Sequence, residues 1–178
     1  MIKKFAAIVA AVLVVVLVVA RTKPDSFEVR RSTTINAPPD SIWPYLDNFH
    51  NWRAWSPWER MDSTMARTYT GPDGGIGAAY AWSGNKKVGQ GRMEITGAEP
   101  DTSVTIALDF LAPFEAHNIA EFTLGAGGEG TVVTWTMRGP NTYLGKVMSV
   151  FVSMDRMVGP DFEAGLANLK TVVEHQHP

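Results

Sequence analysis

The sequence predicts an α+β domain in which one curved antiparallel sheet wraps a long C-terminal helix, with a separate hydrophobic helix ahead of it. Three observations predict this. Residues 5–20 (FAAIVAAVLVVVLVVA) are sixteen side chains without a polar group, a pattern that a water-soluble helix tolerates only when buried. From residue 65 to 137, short apolar runs alternate with turn-forming residues, as in an antiparallel meander. From Met154 onward the apolar positions switch to helical spacing. A chain of 178 residues, 45% hydrophobic and 19% charged, suffices for one cored domain and a small appendage.

The N-terminal run is flanked by Lys3 and Lys4 on one side and Arg21 and Lys23 on the other. It suits a single-pass anchor, or a signal peptide cleaved near Ala20 after Val18-Val19. Its length exceeds the ~7–15 residues of a signal-peptide core. Ile2 and the lysine stems extend it toward the ~17–20 residues of a span, so an anchor is favoured. Residues 1–25 are therefore assigned to the anchor or signal segment and 26–178 to the folded domain. The positive-inside tendency puts the N-terminus in the cytoplasm and the domain on the outer, periplasmic or extracytoplasmic side; secretion after cleavage is the alternative.

The domain begins with FEVRRSTTI (27–35), an alternating strand. NAPPDSIWPYLDNF then opens a short helix, with prolines at its start and Ile42, Trp43 and Leu46 on one stripe; Pro44 keeps it short. NWRAWSPWE (51–59) places Trp52, Trp55 and Trp58 three residues apart, half of the six tryptophans in the chain. That spacing aligns the rings only in a 3₁₀-like conformation, and Pro57 opposes one regular helix. The expectation is that Trp55 and Trp58 turn inward while Trp52 packs on the short helix.

Six strands follow: MARTYT (65–70), GAAYAW (77–82), VGQGRMEITGA (88–98), TSVTIALDF (102–110), HNIAEFTL (117–124) and TVVTWTM (131–137). Turns at GPDGG, SGNKK, EPD and GAGGEG separate the later ones. Met154, Met157, Val158, Phe162, Leu166, Leu169 and Val173 then share one helical face, with Ser153 as N-cap and a bend expected at Gly159-Pro160. Only this helix is large enough to cover the sheet, and a curved sheet around a helix leaves room for a cavity.

Composition removes several function classes. Lys3, Lys4, Arg21 and Lys23 against Asp25 give residues 1–25 a net charge of +3, which leaves −5 on the rest of a chain whose net is −2. Such a body lacks the basic footprint of a nucleic-acid binder. There is no cysteine, hence no thiolate site or disulfide. GAGGEG (125–130) has dinucleotide-motif spacing but precedes a strand, not a helix, so it reads as a flexible hairpin turn. His175 and His177 lie in a terminal HQHP and read as surface. No metal-ligand or nucleophile-elbow motif is present, so no metal or cofactor is expected.

RSTTINAPPDSIWPYL, WSPWE followed by Asp62, YAWSGNKKVGQGRMEI and DFEAGLANLK occur in that order. Together they are similar to the polyketide cyclase/dehydrase-like branch of the START/Bet v 1 (SRPBCC) superfamily, from about Ser26 to Glu174. The resemblance implies a helix-grip fold with a deep hydrophobic cavity. It implies no reaction, because that superfamily includes lipid carriers and ring-closing enzymes without shared catalytic residues. Many relatives also carry an N-terminal apolar segment.

The residues expected at the pocket are Trp55, Trp58, Trp82, Phe110, Phe114 and Trp135, with Met137, Phe151, Met154, Met157 and Phe162 from the later segments. Acids are weaker candidates. Glu59, Asp62, Glu94 or Glu115, if turned into an apolar cavity, would act as a general acid or base; as partners of surface arginines they would do nothing catalytic, and that is the favoured expectation. The leading functional expectation is a membrane-tethered domain that binds a hydrophobic small molecule or lipid. A cyclase- or dehydratase-like lyase, and an interaction module built on exposed tryptophans, are the alternatives.

Overall fold

The computed structural model describes residues 2–176, so His177 of the terminal histidine pair lies outside it. Helix α1 (Ile2–Arg21) is followed by strand β1 (Ser26–Ile35), two short helices α2 (Pro39–Ile42) and α3 (Pro44–Asp47), and two 3₁₀ turns at Phe49–Ala54 and Pro57–Arg60. Strands β2 (Ala66–Thr70), β3 (Ala79–Ser83), β4 (Gln90–Glu99), β5 (Ser103–Ala112), β6 (Ala116–Gly127) and β7 (Gly130–Pro140) come next, then α4 (Tyr143–Ser149) and α5 (Met154–Gln176). The seven strands form one antiparallel sheet in the order β1-β7-β6-β5-β4-β3-β2.

Alternation decides which face is covered. Val104, Ile106 and Leu108 of β5 point inward with Ala120, Phe122 and Leu124 of β6, all buried. On β4, Met93 and Ile95 are buried and Arg92 and Glu94 face outward, which fixes the strand's facing. Across that face lies α5, whose Phe162, Leu166, Leu169 and Val173 are buried at intervals of one helical turn. The helix is continuous through Pro160, and Ser153 Oγ accepts from the Arg156 amide at its start (3.3 Å).

Polar clamps fix α5 along β1. Arg31 donates to Glu163 (2.6 Å) and Asp155 (2.7 Å); Lys170 donates to the Thr34 carbonyl and Glu174 accepts from the Asn36 amide, both at 2.7 Å. A side chain on Gly159 would start 2.2 Å from the Arg31 guanidinium, so that glycine leaves the room in which Arg31 reaches its two carboxylates.

Two elements differ from the sequence expectation. GAGGEG is mostly strand: β6 runs to Gly127 and β7 restarts at Gly130. Only Gly128 and Glu129 turn the chain, with Gly128 at φ +60°, the first-position glycine that a two-residue hairpin favours. Helix α4 was not anticipated; Thr142 Oγ1 caps it by accepting from the Gly145 amide (3.3 Å).

The register also sorts the connections by end. Ser26 pairs with Pro140, Phe110 with Ala116, and Gln90 with both Ala112 and Ser83. One end of the sheet therefore carries the link to α1, the β3–β4 turn, the β5–β6 turn and the start of α4. The other end carries Ile35, the β2–β3 turn and Gly128-Glu129. Helix α1 is exposed along its length apart from half-buried Val16 and buried Ala20, and it meets α4. The following Pro24 and Asp25 carbonyls accept from Asn141 (3.1 and 2.7 Å), and Asp25 pairs with Lys146.

Candidate functional site

A cavity of about 180 Å³ lies between the inner face of the sheet, the Trp-rich turns and α5. Its floor comes from facing strand positions: Tyr80, Met93 and Leu108 stand in one cross-strand row, as do Trp82 and Phe110 either side of Gly91. A Cβ on Gly91 would lie 2.3 Å from the Trp82 ring, so the absence of a side chain there lets the indole lie flat over β4. Trp135, Met137 and Ala120 continue the floor, Trp52, Ser56, Trp58, Glu59 and Met65 form one wall, and Val158 and Phe162 form the α5 side. Lys87 and Val88 close the remaining edge, with the Trp82 indole N–H donating to the Val88 carbonyl (3.0 Å).

Trp135 is the hub. Phe162 stacks on it at 4.0 Å, Phe122 lies 4.8 Å away, and Trp55, Trp58 and Trp52 approach at 5.5, 5.6 and 6.3 Å, mostly edge-on. Such pairs add ~0.5–1.5 kcal/mol each beyond area burial. The Trp135 indole N–H is buried and has no hydrogen-bond partner among the described residues, an arrangement that costs ~1–3 kcal/mol when left unmet.

Of the residues expected at the pocket, Trp58, Trp82, Phe110, Trp135, Met137 and Phe162 line this cavity. Trp55 does not. It is fully buried behind the wall, and its N–H donates to the Tyr45 carbonyl (2.9 Å). Trp52 does pack on the short helix, its N–H donating to the Leu46 carbonyl (3.3 Å), but it also reaches the cavity, whereas Trp55 turns inward without lining it. The first 3₁₀ turn is capped at residue 55, with φ −131° and ψ −29°, and the two rings stay together, 4.9 Å apart, both edge-on to Phe122 and Trp135. Met154 packs partly buried on the core edge. Phe114, Phe151 and Met157 are 65%, 69% and 50% exposed. Phe114 sits in the β5–β6 turn, beyond the last residue that α5 can cover. Phe151 lies between helices, and Met157 is one residue, about 100°, off the Val158–Phe162 line. None of the three Trp-rich rings stands free on the surface: Trp52 and Trp55 are buried and Trp58 is half-buried.

The four candidate acids separate cleanly. Glu94 faces outward beside Arg92 and Glu115 is exposed beside His117. Asp62 is buried but away from the cavity: it accepts from the Thr64 amide (2.9 Å), the Thr64 hydroxyl (2.7 Å) and the Asn85 amide (2.7 Å), and so ties the Trp-rich connection to the β3–β4 turn. Only Glu59 borders the cavity. One of its oxygens accepts from Arg67 Nε (2.7 Å) and the other from the Tyr80 hydroxyl (2.6 Å). The pair is well shielded, with Glu59 7% and Arg67 16% exposed. Burial first, then the bond to Glu59, holds Tyr80 far above the ordinary phenol range; the Glu59 hydrogen bond also raises Arg67. The wall therefore presents an internally neutralised Arg–Glu pair and an un-ionised phenol.

Asp62 makes a pH prediction. Its carboxyl is held below the ordinary 3.8, chiefly by the Thr64 hydroxyl and then by the Asn85 and Thr64 amides, against the opposing effect of burial. A depressed folded-state value means that the stabilisation is complete above about pH 4 and is lost as pH falls through the folded value. Asp62→Asn is expected to be less stable than the parent at pH 7 and to converge on it in strong acid, checked by urea midpoints across pH 2–7.

A second depression, of about 390 Å³, lies at Asp40, Ser41, Pro44, Tyr45, Asn51 and Gln176. It is open and polar-edged, with Tyr45 donating to Gln176 (2.7 Å), and offers no apolar enclosure. Among the described residues no group of three His, Asp or Glu side chains is placed to hold a metal ion.

Residues 26–174 match the family described as polyketide cyclase / dehydrase and lipid transport. A solved protein from Rhizobium leguminosarum superposes with a TM-score of 0.63 at 12% identity, over 84% of this chain and 95% of its own. The Aha1 dimer from Colwellia psychrerythraea gives 0.57 at 18% identity over 85% and 99%, and Ara h 8.0201 gives 0.59 at 10% over 84% and 99%. At these identities the likeness is one of fold. No curated protein matches the chain.

Proposed function

The chain belongs to the polyketide cyclase/dehydrase and lipid transport family, and from that premise we propose that it is a membrane-tethered binding domain for a hydrophobic small molecule or lipid. The observation that carries this reading is the apolar cavity between sheet and α5. Its size narrows the occupant. An engineered cavity of ~150 Å³ takes benzene, whereas pockets that enclose drug-sized ligands run ~300–1,000 Å³. At about 180 Å³, the cavity fits one ring or a short acyl segment, and a longer ligand leaves past Lys87 and Val88. The tether is α1, a 20-residue helix of mean hydropathy 2.7 over its most apolar window, with the N-terminus cytoplasmic and the domain outside.

The lyase alternative would run through Glu59, the one acid at the wall. Both of its oxygens already hold donors from Arg67 and Tyr80, which supports binding over proton transfer.

The test is native mass spectrometry of the full chain in nanodiscs, followed by titration with two apolar probes, a single aromatic ring and a short alkane. A co-purified hydrophobic molecule is expected, along with saturable binding of both probes. A parent protein that carries nothing and binds neither probe would overturn the reading.

A further inference from the structure

The register of the sheet places unrelated features at one end of the domain. The link from α1 enters β1 at Ser26, and the β5–β6 turn, the β3–β4 turn and the start of α4 lie at that same end. Only Thr22, Lys23, Pro24 and Asp25 separate α1 from β1. Fully extended, four residues span ~14 Å at most, and Asn141 bonds to two of their carbonyls (3.1 and 2.7 Å). If α1 spans a bilayer, this end cannot stand far above it: the headgroup layer itself is ~5–8 Å deep on each side.

That end is also where apolar side chains are left uncovered. Leu111 (60% exposed) and Phe114 (65%) flank the β5–β6 turn, and Leu144 (57%) and Met148 (46%) stand on α4, the helix that meets α1. Phe151, at 69%, follows in the next segment. Large apolar side chains left exposed together at one end of a domain mark an interaction site, and here α1 names the partner. Of the residues at the cavity edge, Phe110 lies on the strand that leads into the β5–β6 turn, and Lys87 and Val88 lie in the β3–β4 turn at the same end of the sheet.

We propose that this end of the domain docks on the surface of the phospholipid bilayer that holds α1, with Phe114 and the exposed side of α4 seated at headgroup depth. The cavity then opens toward the membrane, and its ligand class is a hydrophobe dissolved in the bilayer, which reaches Val88 and Phe110 without crossing bulk water. The inference rests on α1 being a membrane tether; it deepens the binding reading but does not require it.

Because the chain has no cysteine, single labels test the docking directly. The full chain carrying Phe114→Cys, Leu144→Cys or Ile76→Cys is labelled with an environment-sensitive fluorophore. It is then reconstituted into phosphatidylcholine–phosphatidylglycerol vesicles that contain nitroxide-headgroup lipids. Ile76 is the matched control, 64% exposed in the β2–β3 turn at the opposite end. Labels at 114 and 144 should be blue-shifted and quenched about twofold or more relative to 76, as for side chains seated ~5–10 Å into the interface. If the protein floats with the vesicles and the three labels quench alike, the docking is wrong and the tether stands. If it does not float, the tether fails and the docking with it. Quenching at 114 and 144 together with an empty mass spectrum leaves the docking in place and removes the bound ligand.

Discussion

Arg67→Met is expected to lower the unfolding free energy by about 3–5 kcal/mol, the usual cost of stranding one member of a buried ion pair. The substitution leaves the Glu59 carboxylate, 7% exposed, as a charge on an apolar wall with the Tyr80 hydroxyl as its remaining side-chain donor. The guanidinium also donates to the Met65 carbonyl (2.7 Å) and the Glu59 carbonyl (3.3 Å), so the loss includes ties between the second 3₁₀ turn and β2. Adding Glu59→Gln to Arg67→Met removes the stranded charge but keeps an acceptor for Tyr80. The double variant should therefore recover a large part of the loss, giving a coupling energy above ~0.5 kcal/mol in a double-mutant cycle. Urea denaturation of the four proteins measures it, and strict additivity would show that the wall does not depend on this pair.

The second large effect is expected at Trp55. Trp55→Ala should cost about 3–5 kcal/mol, as large-to-small changes at closed aromatic sites do, because the ring is fully buried and its N–H is bonded to Tyr45. Its backbone carbonyl accepts from Asn168 of α5 (3.0 Å), so a shift of that residue is also felt by the helix. Trp58→Ala, only three residues away, should cost nearer ~1 kcal/mol, the middle of the range for point changes, since Trp58 is half-buried at the cavity edge. The consequence of Trp58→Ala lies in binding: an enlarged cavity should accept bulkier probes. Thermal unfolding and probe titration separate the two. Equal stability losses would mean that both rings serve the core alike.

The sheet and its covering helix were legible because their partners lie within the domain and impose a strict period. Val104, Ile106 and Leu108 alternate because every second residue faces the buried side of the sheet, and Phe162, Leu166, Leu169 and Val173 repeat because one face of α5 meets the core. Helix α4 escaped because it packs against α1, a partner outside that period. Phe114 and Phe151 suit a pocket by residue type, which does not record whether a second layer lies above the residue, and Met157 sits at the margin of the helical stripe, where spacing does not separate covered from exposed. That Trp52 rather than Trp55 borders the cavity had no signature in spacing: three-residue intervals fit the 3₁₀ turns, but the direction of the chain between them is set by dihedrals at residue 55. Glu59 directly follows Trp58, a residue expected at the pocket. Its partner Arg67 went unseen because the pairing spans a chain reversal.

The position of β1 has a consequence in time. Its partner β7 begins at Gly130, whereas β1 ends at Ile35. At ~5–20 residues per second of synthesis, the first strand waits on the order of 5–20 s before its neighbour exists, and longer still for Glu174 to reach the Asn36 amide. The six strands from β2 to β7 pair in order of appearance, each with the one just made. The chain can thus zip its meander as it is made, but the sheet is completed only when its oldest strand is joined to its newest, and until then β1 is held ready beside the hydrophobic helix that precedes it.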